Sequence, residues 1–266
     1  MLIDSINAKR PSIARNRGAQ LARGSTLLFL DDDVTVSLAL ATEHWLSHQS
    51  ADVVVGYLKP AFKHKPNFWQ LGARIWWEDH FTAMKEPDYI FGFKDLFSAN
   101  VSIKSSLFRS LGGFDESLTQ LEDYEFAIRL MKVGTSFAFN SRAVATHWEA
   151  NDVSGWLGRA RVEAESEFHM GKRHSDFRKS IFCDRLDKAI PALTAWSTRI
   201  RKLAFMRLLF VDATVDFLAD CLPALEALKA RRTWGHIMGG THEYKYWRSI
   251  ADHFSTEREF ISWIGR

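Results

Sequence analysis

The stretch ARNRGAQLARGSTLLFLDDDVTVS, residues 14 to 37, runs a basic helical pattern into an apolar strand that ends on three consecutive aspartates. Adjacent carboxylates repel, and each costs on the order of several kcal/mol near low dielectric unless a cation or hydrogen-bond donors meet it. Something positive is expected at that strand tip. TLLFL is a continuous apolar run of the kind seen in strands buried on both faces. In open parallel sheets, ligands bind beyond the carboxyl ends of the strands, so Asp31, Asp32 and Asp33 fall where a site is expected. Hard carboxylate oxygens suit Mg2+ or Mn2+, and a divalent ion with open positions can also bind diphosphate oxygens. The competing reading is a solvated turn in which one aspartate caps the next helix.

Outward from that stretch, the chain has the composition of an ordinary globular protein: 266 residues, 46% hydrophobic and 25% charged, with a net charge of +3. Basic and acidic residues number 16 and 17 up to Ala150 and 19 and 15 after it. That tilt is too weak for a nucleic-acid partner, which calls for a clustered basic stripe. Cys183 and Cys221 lie far apart with no CxxC, which argues against a disulfide scaffold or zinc knuckle and for a reducing, cytoplasmic setting. No apolar run reaches the roughly 18 residues of a membrane span, since Asp212, Asp216 and Asp220 interrupt the most hydrophobic segment.

Residues 1 to 150 alternate apolar runs with helical patterns, which predicts an α/β domain with a mainly parallel sheet. Strands are expected at STLLFL, DVVVGYL, FSANVSIK and, more weakly, FAFNSRAVATH; helices at PSIARNRGAQLARG, ending at Gly24, and at EDYEFAIRLMKVG, closed by Gly134. From about Gly155 strand signals vanish, so residues 151–266 read as a helical C-terminal region, with Pro223 kinking or breaking its long helix. WGHIMGGTHEYKYW reads as a glycine turn among aromatics.

A second constellation is LFRSLGGFDESLTQLEDYEFAIRLMKVG, residues 107 to 134. Gly112 and Gly113 mark a tight turn, and Glu122 and Asp123 fall at the first turn of an amphipathic helix. Paired acids there gain ~0.3–1 kcal/mol from the exposed amides and the dipole, which explains many such pairs without any chemistry. The chemical reading makes Asp123 a general base, which needs a carboxylate within reach of an acceptor hydroxyl.

Together, ARNxG…A.G….FLDDD and SANVSIK…F…GGFDE.L….ED.E…RL…G closely resemble family 2 glycosyltransferases of the GT-A fold, over residues 11 to 147. The resemblance implies a nucleotide-diphospho-sugar transferase-like sandwich that moves a sugar from a nucleotide-diphosphate donor to a hydroxyl acceptor with inversion. It implies that Asp31 and Asp33 are the ends of a D-x-D motif, Asp31 near the donor and Asp33 holding the metal on the diphosphate. Arg15 and Asn16, with Asp31 and Asp32, would form the nucleotide-sugar-binding set. Asp123 would be the base, Glu122 would lie beside the acceptor, and His147 would complete the metal or diphosphate site; on its own a histidine near a strand end is more often a satisfied surface or core residue. Implied partners are a nucleotide sugar and a saccharide or lipid-linked acceptor, in surface polysaccharide assembly at the inner face of the membrane.

The resemblance also implies two N-terminal βα units, about 60 residues at ~30 each, which this sequence does not carry ahead of PSIARN. The strand ending at Asp31 is then expected to lack a neighbour on one side. A chain begun too late, a shortened product or a partner chain supplying the strands would each account for it, and the second makes a catalytically impaired remnant or binding subunit one alternative. Another is a haloacid-dehalogenase-like phosphohydrolase, since FLDDDVTV fits its D-x-D signature with Asp31 as nucleophile and Asp33 as acid/base; the preceding ARNRG helix and the later GGFDE and ED argue against it. Trp69, Trp76 and Trp77 are read as core, with sugar stacking the alternative. The basic amphipathic stretch Arg199 to Val211 is read as packing its apolar stripe onto the domain, with peripheral membrane contact the alternative.

Overall fold

The computed structural model describes residues 10–148, 152–187 and 191–265. The chain divides into two compact units, one of residues 1–66 and 70–150, the other of residues 67–69 and 151–266.

The first unit runs α1 (Pro11–Leu21), β1 (Thr26–Leu30), β2 (Val34–Val36), α2 (Leu40–Ser47), β3 (Val53–Ala61), α3 (Phe68–Ala83), β4 (Asn100–Lys104), α4 (Ser105–Ser110), α5 (Glu122–Lys132) and β5 (Phe137–Trp148). Its strands form one sheet in the order β1-β4-β3-β5-β2. The sheet is mixed, which corrects the expectation of a mainly parallel one: β3 and β5 pair parallel, while β1/β4, β3/β4 and β2/β5 are antiparallel. An antiparallel strand covered on both faces gives the same unbroken apolar run as a parallel one, so composition could not report its direction. VVV of β3 and NVSI of β4 are buried throughout.

β1 differs from that expectation too. Among the described residues it pairs with β4 alone, and it buries only Leu27 and Phe29, leaving Leu30 at 37% exposed. Phe29 meets Phe108 and Phe114 at 5.1 and 5.2 Å, and Phe126 of α5 completes the cluster. α1 stops at Leu21, three residues short of Gly24. Gly134 does close α5, at φ +70°, with Thr135 N–H reaching back to Leu130 O.

A bulge at Gly56/Tyr57 bends β3 where it passes from β4 to the far half of β5. Asn100 fills it, donating to Tyr57 O at 3.1 Å and Ala143 O at 2.9 Å, and a Cβ on Gly56 would collide with that amide. His44 of α2 reaches Ser102 Oγ and Asn100 Oδ1, so the start of β4 is fixed from both sides. Trp77 packs on Phe81 and Phe97, and Trp69 is buried, as the core reading expected; Trp76 is 52% exposed and stacks on His80.

The second unit contains α6 (Val153–Arg173), α7 (Arg178–Leu186), α8 (Pro191–Met206), α9 (Leu209–Asp220), α10 (Leu222–Ala227), α11 (Arg231–Ala251) and α12 (Glu257–Ile264). α11 is its spine, packing against α6 and α8. Pro223 stands in the first turn of α10, where its missing N–H costs nothing, and α9 ends just before. Two expectations are corrected here. The stretch Arg199 to Val211 is two helices, broken at Arg207, whose φ is +53° and whose guanidinium caps Ala251 O and Phe254 O. WGHIMGGTHEYKYW lies inside α11, because Gly240 admits the Trp196 ring of α8, 3.3 Å from where a Cβ would sit. Among the described residues no helix is long and apolar enough to cross a membrane.

Candidate active site

Because β4 runs antiparallel to β1, its first residue lies beside the last of β1, Asn100 opposite Leu30. The chain entering β4 and the chain leaving β1 therefore meet at one end of the sheet, and Asp31 directly follows Leu30 there. The first turn of α5 is delivered there by Leu121, a non-glycine residue in the left-handed region at φ +62°. Such a conformation costs roughly 1–2 kcal/mol and persists where its surroundings over-determine it.

Arg15 of α1 ties the junction together. One arm of its guanidinium donates to Asp31 Oδ1 at 2.5 Å, and the other donates to Glu122 Oε1. Burial works against the Arg15 charge, but the two carboxylates more than offset it and its pKa rises. The cation expected at the strand tip is thus, for Asp31, a side chain of this same chain. Glu122 is buried at 5% exposure, and burial together with the neighbouring Asp123 charge pushes its pKa up to about 7 despite Arg15. Asp123 is also held above the ordinary carboxylate range, chiefly by burial. Its Oδ2 accepts from the backbone N–H and the hydroxyl of Ser98, each at 3.3 Å, and its Oδ1 from the N–H of Tyr124 at 3.0 Å. Ser98 was missed by sequence reasoning; its only signal was its position just ahead of the β4 run in FSANVSIK.

Asn16 has a different task. Its amide donates to Phe114 O at 2.8 Å and Glu116 Oε1 at 2.9 Å, and its oxygen accepts from Phe114 N–H at 2.9 Å. It pins the turn made by Gly112 and Gly113, at φ +81° and +74°, and a Cβ on Gly113 would stand 2.6 Å from its oxygen. Arg129 locks the same turn from α5, donating to Leu111 O, Gly113 O and Glu125. Asn16 and Arg129 therefore fix the loop that leads into Glu122 and Asp123.

Asp33 and His147 come together although 114 residues apart: β2 pairs with β5 so that Val34 faces His147, Trp148 N–H donates to Asp33 O, and His147 Nε2 lies 3.1 Å from Asp33 Oδ2. Asp33 and Asp32 are exposed. Among the described residues no three His, Cys, Asp or Glu side chains converge on a common point. A magnesium- or manganese-type ion is commonly held by one or two carboxylates plus water and substrate phosphates, and Asp33 offers one exposed carboxylate of that kind.

The model of the family described as "Glycosyltransferase like family 2" matches residues 4–178. The chain belongs to that family. Pre-mycofactocin glycosyltransferases of Mycobacterium tuberculosis strains CDC 1551 / Oshkosh and ATCC 25618 / H37Rv are each 25% identical over 186 residues, 64% of this chain and 37% of theirs. The chain thus spans well under half the length of the curated relatives it matches. Among solved structures, the mannosyltransferase PcManGT from Pyrobaculum calidifontis, in complex with GDP-Man and Mn2+, superposes with a TM-score of 0.51 at 16% identity, over 89% of this chain and 66% of that one. With the mixed α/β sheet, this likeness gives the GT-A fold of family 2. Family membership does not favour the phosphohydrolase or remnant readings.

Proposed function

We propose that this chain carries the transfer site of an enzyme that moves a sugar from a nucleotide-diphosphate donor to a hydroxyl acceptor of a saccharide or lipid-linked saccharide, with inversion at the anomeric carbon. The observation that carries this reading is the Arg15 bridge, which joins the acid at the β1 tip to the acidic pair at the start of α5. Donor and acceptor functions are thereby built into one rigid junction. Asp31 and Asp32 border the donor side and Glu122 the acceptor side. Asp123 takes the proton of the acceptor hydroxyl as that oxygen attacks the anomeric carbon, and the bond to the diphosphate oxygen breaks with its electron pair leaving on the nucleoside diphosphate. The raised pKa of Asp123 makes it a stronger base than an exposed carboxylate. Asp33 and His147 would hold a divalent ion, which supplies charge neutralisation to the leaving diphosphate when bound. The ligands named for the Pyrobaculum mannosyltransferase belong to the classes proposed.

Asp123→Asn keeps the shape of the side chain but removes its capacity to take a proton, so sugar transfer is expected to fall by about 10²–10⁴-fold. Initial rates of nucleoside-diphosphate release, with and without acceptor and Mn2+, measure this. A variant that retains the parent rate overturns the assignment.

A further inference from the structure

The second unit presents an apolar surface that its own fold does not cover. α8 ends with Leu203 and Met206 exposed, the chain turns at Arg207, and α9 begins with Leu209 and Phe210 at 82% and 70% exposure. About two turns further along, Phe217 is 66% exposed, and Leu228 beyond α10 is exposed as well. α9 buries none of its residues fully. Its other side lies over a cavity of about 790 Å³ shared with α6 and α11, and it is held there by polar contacts: Tyr244 donates to Asp212 at 2.7 Å and Lys245 to Asp216 at 2.5 Å.

Charge on this segment is sorted. Asp212 and Asp216 are bound to α11, and Glu226 accepts the N–H of Phe68. The exposed Arg199, Lys202, Lys229, Arg231 and Arg232 make no ion pair among the described residues. Asp220 follows Asp212 and Asp216 at the same helical spacing and lines the cavity on the inner side of α9. Aromatic and aliphatic side chains exposed beside free cations match an anionic bilayer surface, in which the apolar groups enter the headgroup boundary and the cations meet phosphate. A second copy of the chain is a poorer match, because a two-fold contact through this face sets like cations against one another.

We propose that the α8–α9 corner and the outer face of α9 dock on a membrane surface rich in anionic phospholipid. This inference is independent of the sugar-transfer reading. The full chain is tested by co-sedimentation with phosphatidylcholine vesicles and with phosphatidylcholine–phosphatidylglycerol vesicles. Binding is expected to the anionic vesicles above all, weakening as salt rises. Phe210→Asp with Phe217→Asp is expected to lower the partition coefficient about tenfold or more, and Lys229→Glu with Arg231→Glu and Arg232→Glu to remove the salt-sensitive part. Helical circular dichroism and the thermal midpoint, unchanged for such exposed positions, report folding, and the charge-reversal set stands alone if the phenylalanine pair fails to fold. Failure of the parent chain to sediment with anionic vesicles, or binding by both variants that equals the parent's, overturns the proposal. So does a parent dimer in analytical ultracentrifugation that Phe210→Asp with Phe217→Asp makes monomeric, since a second copy then covers the face.

Discussion

α5 and α9 are helices of nearly equal length, each carrying three acidic residues among apolar ones, and they are used in opposite ways. α5 turns Phe126, Ala127, Ile128 and Leu130 into the core and holds Glu122 and Asp123 at its first turn, facing the sheet junction. α9 turns Leu209, Phe210 and Phe217 to solvent and spends Asp212 and Asp216 on α11. Periodicity tells where a stripe runs, and only packing tells which way it faces. The inward helix builds a site; the outward one leaves a surface to be covered.

The sharpest way to break this contrast is to truncate one phenylalanine on each helix. Phe126 is fully buried against Phe108 and Phe114, with the Arg129 guanidinium 4.7 Å from its ring centre. Phe126→Ala is expected to cost about 3–5 kcal/mol, whereas Phe217→Ala is expected to stay within about 0.5 kcal/mol. Urea unfolding measures both. Equal losses would mean that the outer face of α9 is buried in solution.

Next in size is the bridge. Arg15→Met leaves Glu122 buried without its cation, and removing one partner of a buried pair typically costs ~3–5 kcal/mol. Asp31 is one-third exposed at its side chain and recovers some hydration, so about 2–3 kcal/mol is expected. Adding Glu122→Gln should return part of that loss in the denaturation midpoint. A double variant no more stable than Arg15→Met would remove the electrostatic account of the junction.

Much of the first unit was legible because its strands are apolar runs bounded by turns and its helices carry Pro11 and Gly134 as punctuation. The three residues of β2 were not, since Val34 to Val36 become a strand only by pairing with the end of β5. The same pairing creates the Asp33–His147 contact, so family resemblance could suggest both residues but local sequence could not join them. Arg15 was expected against a nucleotide, and its engagement of Asp31 and Glu122 depends on α1, β1 and α5 meeting in space. Ser98 is silent in sequence because serine ahead of a strand has many uses. The glycines of α11 misled because a glycine that makes room for Trp196 looks the same as one that makes a turn.

The smallest effect tests whether the inward helix carries a coupled acid pair. Burial raises Glu122 and Asp123 alike, and the Asp123 charge raises Glu122 further; repulsion between neighbouring carboxylates is mutual, so both ionise above the ordinary range. A base must be ionised to act, and Asp123 is held above the ordinary carboxylate range, so the acid limb of transfer is expected at a higher pH than an exposed aspartate would give. Stability runs the other way. A carboxylate raised on folding binds more protons in the native state than in the unfolded chain between its ordinary value of 4.5 and about 7, so the fold loses stability as pH rises through that window. Glu122→Gln removes one of the two charges while Arg15 keeps Asp31. Asp123 then ionises more easily, and the acid limb of the kcat/KM profile should move down by about one pH unit. Over the same window the slope of stability against pH should flatten. A limb that stays in place while the slope flattens would show that Glu122 titrates alone, and would detach Asp123 from the acid pair.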